Sequence, residues 1–215
     1  MTDPSQVRLA AASPGGMIRR ATAADVEIIR NLYLEIGREH LWVLRMDWTA
    51  DEYRQRMAQE HAVFWVAFHG GDPSGFAETW RHDDDSVQIM FLGVRTGLVG
   101  RGIGKRLLSV VLQETWQTKP KRIFVHTRTY DGEHALANYL KRGFQIANTK
   151  CFRLEIPPQF ETRASGLVVT AKAAGVYPSV QRRTEAWLRD SIAGRVVGRL
   201  LRSEGKLSGV SRPGI

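Results

Sequence analysis

The sequence predicts an α/β (α+β) chain: a mixed, mostly antiparallel central sheet flanked by helices, with a basic helical extension at the C-terminal end. Three observations predict it. Apolar runs of strand length, Ala62–His69, Gly75–Arg81 and Val87–Val94, follow one another through short turns and so read as an antiparallel meander. Apolar residues at helical spacing precede and follow that meander. The excess positive charge collects at one end: residues 157–215 hold ten Lys/Arg against four Asp/Glu, while residues 1–156 hold 21 against 18.

The elements follow in order. Met17 to Arg20 begins a short strand after Gly15–Gly16. Thr22 or Asp25 starts a helix with Val26, Ile29, Leu32, Tyr33 and Ile36 on one face, and Gly37 is its expected stop. Thr49–Glu52 reads as a capping box that opens a second helix to about Glu60. The meander comes next, with Gly70–Ser74 and His82–Ser86 as its turns. Gly100–Gly104 leads into a helix with Ile103, Leu107, Leu108, Val111 and Leu112 on a wide apolar face. Lys121–Arg128 is a strand, Glu133–Arg142 a helix closed by Gly143, and Phe144–Glu155 a last strand. After Pro157 and Pro158 the pattern weakens. It returns as Trp187, Leu188, Ile192, Val196, Leu200 and Leu201 at helical spacing, with Arg182, Arg183, Arg189, Arg195, Arg199 and Arg202 between them and Gly205 as the stop.

Composition excludes several classes. The chain has 215 residues, 43% of them hydrophobic and 25% charged, which is ordinary for a globular protein and long enough to bury a core. The single cysteine, Cys151, rules out an intramolecular disulfide and a cysteine-rich zinc site. No apolar run reaches the ~18–20 residues that span a bilayer. The first sixteen residues lack the apolar block of a secretory signal, so the expected location is cytoplasmic. Six histidines show no His-Glu-x-x-His and no i, i+4 pair, so no metal site is expected.

The informative stretch is Val94–Leu108. Gly100, Gly102 and Gly104 follow a strand and open a helix. Glycine there removes Cβ atoms and permits φ > 0, so successive N–H groups can aim at an anion beside the positive end of the helix. The chemistry implied is phosphate or pyrophosphate binding; a tight strand-to-helix turn is the plainer reading. Lys105 breaks a dinucleotide fingerprint, and Val99 and Arg106 break a P-loop.

Val99-Gly100-Arg101-Gly102-Ile103-Gly104 resembles the acetyl-CoA loop, Gln/Arg-x-x-Gly-x-Gly/Ala, of the GCN5-related N-acetyltransferase (GNAT) superfamily, with Val99 departing at its first position. A second match follows: His126-Thr-Arg-Thr-Tyr-Asp131 and then Ala135-Leu-Ala-Asn-Tyr139, closed by Gly143-Phe144, resembles that family's later strand and helix. The resemblance covers about Met17–Glu155. It implies a GNAT-like fold and an N-acetyltransferase using acetyl-CoA, in which an amine attacks the thioester directly within a ternary complex. It implies an acetyltransferase domain over 17–156; outside it, the polar, turn-prone residues 1–16 read as a flexible N-terminus, and 157–215 read as a linker with the basic extension.

The resemblance also distributes roles. Leu92, Gly93 and Val94 would line the pantetheine arm and supply a backbone N–H to the developing oxyanion. Val99, Gly100, Arg101, Gly102, Ile103, Gly104 and Lys105 would hold the pyrophosphate, and Asp131 stands where many relatives carry a cofactor-contacting Asn. Tyr139 would give a proton to the departing thiolate; alternatively its ring packs on the sheet. Two readings stand for Glu78, flanked by Ala77 and Thr79. A carboxylate in an apolar strand could have a raised pKa and take the amine proton through water, or it faces solvent. His126 is a second candidate base or a core histidine.

Trp42, Trp48 and Tyr53, with Glu35 and Glu39, either frame the acceptor, a small-molecule or peptide amine, or make a local core. Asp83–Asp85 reads as a solvated turn. The apolar stripe of the C-terminal helix docks on the domain or on a second copy, giving a homodimer; nucleic acid or an anionic membrane is the less favoured partner for its arginines. The rival to an enzyme is a non-catalytic CoA-binding or degenerate module acting through that helix.

Overall fold

The computed structural model describes residues 1–10, 16–128 and 131–150. The chain divides into two units, Met1–Val176 and Tyr177–Ile215, and every described residue lies in the first. The expected C-terminal helix, the break at Pro157 and Cys151 lie outside the described residues.

The elements are β1 (Ile18–Arg20), α1 (Val26–Glu39), α2 (Ala50–Met57), β2 (Ala62–His69), β3 (Asp72–Arg81), β4 (Ser86–Val94), α3 (Ile103–Gln117), β5 (Arg122–Val125) and α4 (Ala135–Lys141). The sheet runs β1-β2-β3-β4-β5. Its first three pairings are antiparallel and the last, β4 with β5, is parallel across α3.

Strand alternation splits the core in two. Phe64, Val66, Phe76 and Phe91 meet Ile29, Leu32, Tyr33 and Ile36 of α1 and Tyr53 of α2 on one face. Trp65, Ala67, Ala77, Ile89 and Ile123 meet Leu107, Leu108, Val111 and Leu112 of α3 on the other. Each large apolar side chain buried there stabilises the fold by about 1.5–3 kcal/mol.

Local chemistry sets several boundaries. The capping box forms: Glu52 N–H donates to Thr49 Oγ1 at 3.3 Å, and Thr49 N–H donates to Glu52 Oε2 at 2.7 Å. The helix it opens ends at Met57, short of the expected Glu60. Gly37 does not stop α1, which runs to Glu39. Its bare Cα instead admits Trp42, whose Cβ would lie 3.0 Å from an added Cβ. The hairpin turn is tighter than expected: Gly70 and Gly71, at φ +63° and +93°, turn the chain alone, so Asp72 pairs with His69. β5 is shorter than expected, and 144–149 form no regular strand.

Residues 1–10 bond to the domain at three places. Met1 and Ile123 exchange two backbone hydrogen bonds, of 2.9 and 3.1 Å, at the outer edge of β5. Arg8 N–H donates to Arg142 O, and Ala10 N–H to Ser109 Oγ. Residues 1–10 thereby pair with the outer edge of β5, the C-terminal end of α4 and a side chain of α3.

Candidate active site

β4 is the strand on which the site is built. Its ladder with β5 stops at Ile89 opposite Val125, while β4 continues from Met90 to Val94. Ile89 and Phe91 pair with the adjacent residues Thr79 and Glu78 of β3, so Met90 is an extra, bulged residue. A bulge bends and twists its strand. The two strands part at that point, and among the described residues none pairs with 90–94 on the side facing β5. Alternate backbone N–H and C=O groups of this segment are left for a ligand or water.

The glycine loop stands at the wide end of this gap. A short 3-10 turn, Thr96–Leu98, brings the chain round to Val99, which is extended and 53% exposed. Gly100 and Gly102 have φ +85° and +82°, values that L side chains adopt only with strain. Gly102 is the N-cap of α3, and the first intrahelical bond runs from Arg106 N–H to Gly102 O. The N–H groups of Ile103, Gly104 and Lys105 therefore have no acceptor within the helix. Arg101 and Lys105 are exposed beside them. An added Cβ would meet nothing within 4 Å at Gly100 and only Val94 Cγ2, at 3.4 Å, at Gly104. Three N–H donors, a positive helix end and two cations, with open space before them, fit a pyrophosphate.

Leu92 packs toward α3, and Val94 touches the loop. Gly93 has a second duty: an added Cβ would lie 2.6 Å from Ile36 Cγ2 and 2.9 Å from Trp42 Cη2, so its bare Cα lets α1 close on the strand. Asn138 of α4 reaches Gly104 O at 3.5 Å, beside the start of α3. Asp131 accepts from Thr127 Oγ1 at 2.9 Å and Arg128 N–H at 2.8 Å, closing the loop after β5.

Tyr139 lies one turn into α4, 8% exposed, in the core cluster against which Leu92, Ile103 and Val125 also pack. Its ring stands edge-on to Phe144 at 5.7 Å. Burial, and then the Asp131 carboxylate, push its phenol above the usual tyrosine range, so the hydroxyl keeps its proton at neutral pH.

Glu78 occupies a setting different from either expected one. It is fully buried, and both carboxylate oxygens are taken. Arg45 binds it through two nitrogens, at 2.5 and 2.9 Å. Arg56 Nε donates to it at 2.8 Å, and Arg56 Nη2 lies at the same distance but out of line for a hydrogen bond. Burial would raise the Glu78 pKa, but the two guanidiniums outweigh it and hold the carboxyl below its ordinary range. The raised pKa expected of a carboxylate in an apolar strand is thus reversed. Arg45 also stacks over Trp48 and Phe91, and Arg56 over Trp80 at 3.7 Å. Sequence reasoning missed both arginines. The available signal was Arg45 inside the bulky run 40–48, a cation that needs a buried anion.

Of the two readings of the bulky groups before and within α2, the structure gives the local core. Trp42 and Tyr53 are buried and Trp48 packs against them. Glu35 pairs with Arg95 at 2.8 Å. Asp84 accepts from Ser86 N–H and Oγ, which fixes the turn before β4. Among the described residues no group of His, Cys, Asp or Glu could hold a metal, and no helix is long and apolar enough to cross a membrane.

The comparisons agree with this architecture. An aminoglycoside acetyltransferase from an uncultured soil metagenomic sample superposes with a TM-score of 0.53 at 16% identity, over 66% of this chain and 97% of that one. The ribosomal-protein-S18-alanine N-acetyltransferase of Escherichia coli gives 0.52 at 16%, over 63% and 81%. The aminoglycoside N-acetyltransferase AAC(6')-Iy in complex with CoA gives 0.52 at 18%, over 68% and 99%. At these identities the likeness is one of fold. No curated protein matches the chain. Residues 27–144, from the first turn of α1 to the Phe144 that closes α4, match the acetyltransferase (GNAT) family, and the chain belongs to that family.

Proposed function

We propose that the protein is an acetyl-CoA-dependent N-acetyltransferase that moves an acetyl group to an amine by direct attack in a ternary complex. One observation carries the reading. The gap where β4 leaves β5 has the Gly100–Lys105 cradle at its wide end, and Tyr139 is buried in the core cluster against which Leu92 and Val125, one residue from each of the parting strands, also pack. When bound, acetyl-CoA supplies an activated acyl group as a thioester.

The chain's own residues do the rest. The N–H groups of 103–105, with Arg101 and Lys105, bind the pyrophosphate. The open edge of 90–94 orients the pantetheine arm and offers an N–H donor from the Leu92–Val94 segment to the acyl oxygen. Asp131, by holding the loop after β5, shapes the cofactor-facing side of that strand.

Tyr139 holds a proton at its hydroxyl. An ordinary tyrosine lies about 1.5 pKa units above an ordinary thiol, so full transfer to a free thiolate is uphill by roughly 2 kcal/mol, and burial of Tyr139 adds to that. It therefore donates a hydrogen bond to the developing thiolate and yields the proton late. Glu78, bound by two arginines with a lowered pKa, is a poor proton acceptor; its part is structural, and the amine proton leaves through water.

Calorimetric titration with acetyl-CoA tests the reading, with CoA and ATP as controls. Saturable binding that Gly102→Glu abolishes, followed by amine-dependent thiol release, is the expected outcome. The glutamate would put a side chain at φ +82° and a negative charge among the phosphate donors. Equal binding by the variant would remove the loop from the site.

A further inference from the structure

The short segment that follows α1 reaches both banks of the gap. On the β4 bank, an added Cβ at Gly93 would lie 2.9 Å from Trp42 Cη2, so the tip of the indole rests on the bare Cα of that residue. On the other bank, an added Cβ at Gly132, in the loop between β5 and α4, would lie 3.5 Å from His40 Cε1 and 4.0 Å from His40 Nε2. The two rings are neighbours, with centroids 6.2 Å apart. His40 and Trp42 thereby make a wall on the α1 side of the gap.

The backbone bends to put them there. Leu41 has φ +53°, at the position beyond the end of a helix where glycine is usual. Trp42 N–H donates to Gly37 O at 2.9 Å, and Tyr33 Oη donates to Trp42 O at 2.9 Å. Gly37 makes room for the Trp42 Cβ, and Phe91 and Phe76 flank the ring at 5.0 and 6.0 Å. Strained backbone persists only where the surroundings over-determine it, and a close-packed ring does not turn aside for a ligand.

A thioester's carbonyl carbon is trigonal planar. Its oxygen accepts an N–H from the open edge 92–94, and its sulfur faces the α3 side, where Tyr139 and Leu92 lie. The third substituent, the acyl tail, is then directed to the α1 side. We propose that Trp42 is a specificity-determining residue that stops this tail, admitting an acetyl group and excluding acyl chains of four or more carbons. This rests on the acetyl-transfer reading of the gap. Ile36 completes the wall, with Cγ2 and Cδ1 at 2.6 and 3.5 Å from the same Gly93 position.

Calorimetric titration with CoA, acetyl-CoA and butyryl-CoA tests it, CoA serving as the reference for the cradle. Wild type should bind butyryl-CoA at least about tenfold more weakly than acetyl-CoA, the least that a closed apolar pocket gains from a methylene. Trp42→Phe keeps an aromatic ring and withdraws its tip from Gly93. It should bind butyryl-CoA at least about tenfold more tightly than wild type does, with its affinity for CoA unchanged. Ile36→Val removes only Cδ1. It should move the ratio the same way by a smaller factor, and it decides the matter if Trp42→Phe shows no cooperative thermal unfolding.

A variant that weakens all three ligands in proportion would reduce Trp42 to core packing and overturn the proposal. So would a wild type that binds butyryl-CoA as well as acetyl-CoA, or variants that keep the wild-type ratio. A wild type that binds none of the three would strike the acetyl-CoA reading itself, and the limit on the acyl chain with it.

Discussion

A single carboxylate, Glu78, shows how a residue's neighbours set its chemistry. Two guanidiniums satisfy it in a fully buried position, so the pair-wise attraction offsets a desolvation cost of several kcal/mol per ion only while all three groups remain. Arg45→Met should therefore cost about 3–5 kcal/mol, measured by urea unfolding, because it strands a buried charge. The double variant Arg45→Met/Glu78→Gln should recover part of that loss. A loss under about 1 kcal/mol for the single change would contradict the buried ion-pair account. Tyr139 belongs to the same scale. Tyr139→Phe keeps the ring packing against Phe144 and removes only the hydroxyl. It should leave acetyl-CoA binding intact and lower kcat by about 10²-fold, the low end for a proton donor, since a thiolate leaves readily. An unchanged kcat would confine Tyr139 to packing.

Elements are positioned by their ends. The Thr49 capping box satisfies two groups at the start of α2, and Thr49→Ala should cost about 0.5–2 kcal/mol in unfolding. α2 carries Tyr53 and Arg56, so the same change should also loosen the Glu78 cluster, seen as faster amide exchange on the central strands. At the end of α4, Gly143 has φ +99°, and an added Cβ would stand 1.8 Å from Gln6 O. Gly143→Ala should cost at least about 1 kcal/mol for the backbone alone. It should also displace residues 1–10 and expose the Ile123 amide, which now donates to Met1 O. Protection of Ile123 equal to wild type would mean that the N-terminal segment docks independently of α4.

The whole molecule's response to acid follows from its buried carboxylates. Asp25, held low chiefly by its hydrogen bonds from Arg19, and Glu78, held low by Arg45 and Arg56, both have folded-state pKa values below their ordinary 3.8 and 4.5. A depressed carboxylate contributes stability that is complete above its unfolded pKa and is lost as pH falls through its folded pKa. Urea midpoints should thus be flat from neutral pH to about pH 5 and fall steeply below about pH 4, as protonation leaves Arg45 and Arg56 buried without a counter-charge. Glu78→Gln should be less stable at neutral pH and show a shallower acid decline; an identical profile would remove Glu78 as a source of the decline. The sequence by itself determined the order of elements from β1 to α4, the glycine loop and the family, because periodicity, capping and φ > 0 are local demands that residues a few positions apart express. It also placed Gly100–Lys105, Leu92–Val94 and Tyr139 on their elements. Only the tertiary structure decided the state of Glu78, the packing duty of Gly93 and the docking of residues 1–10. Each depends on groups 22 to 122 positions apart meeting in space, and a pKa is a property of that meeting and not of the residue.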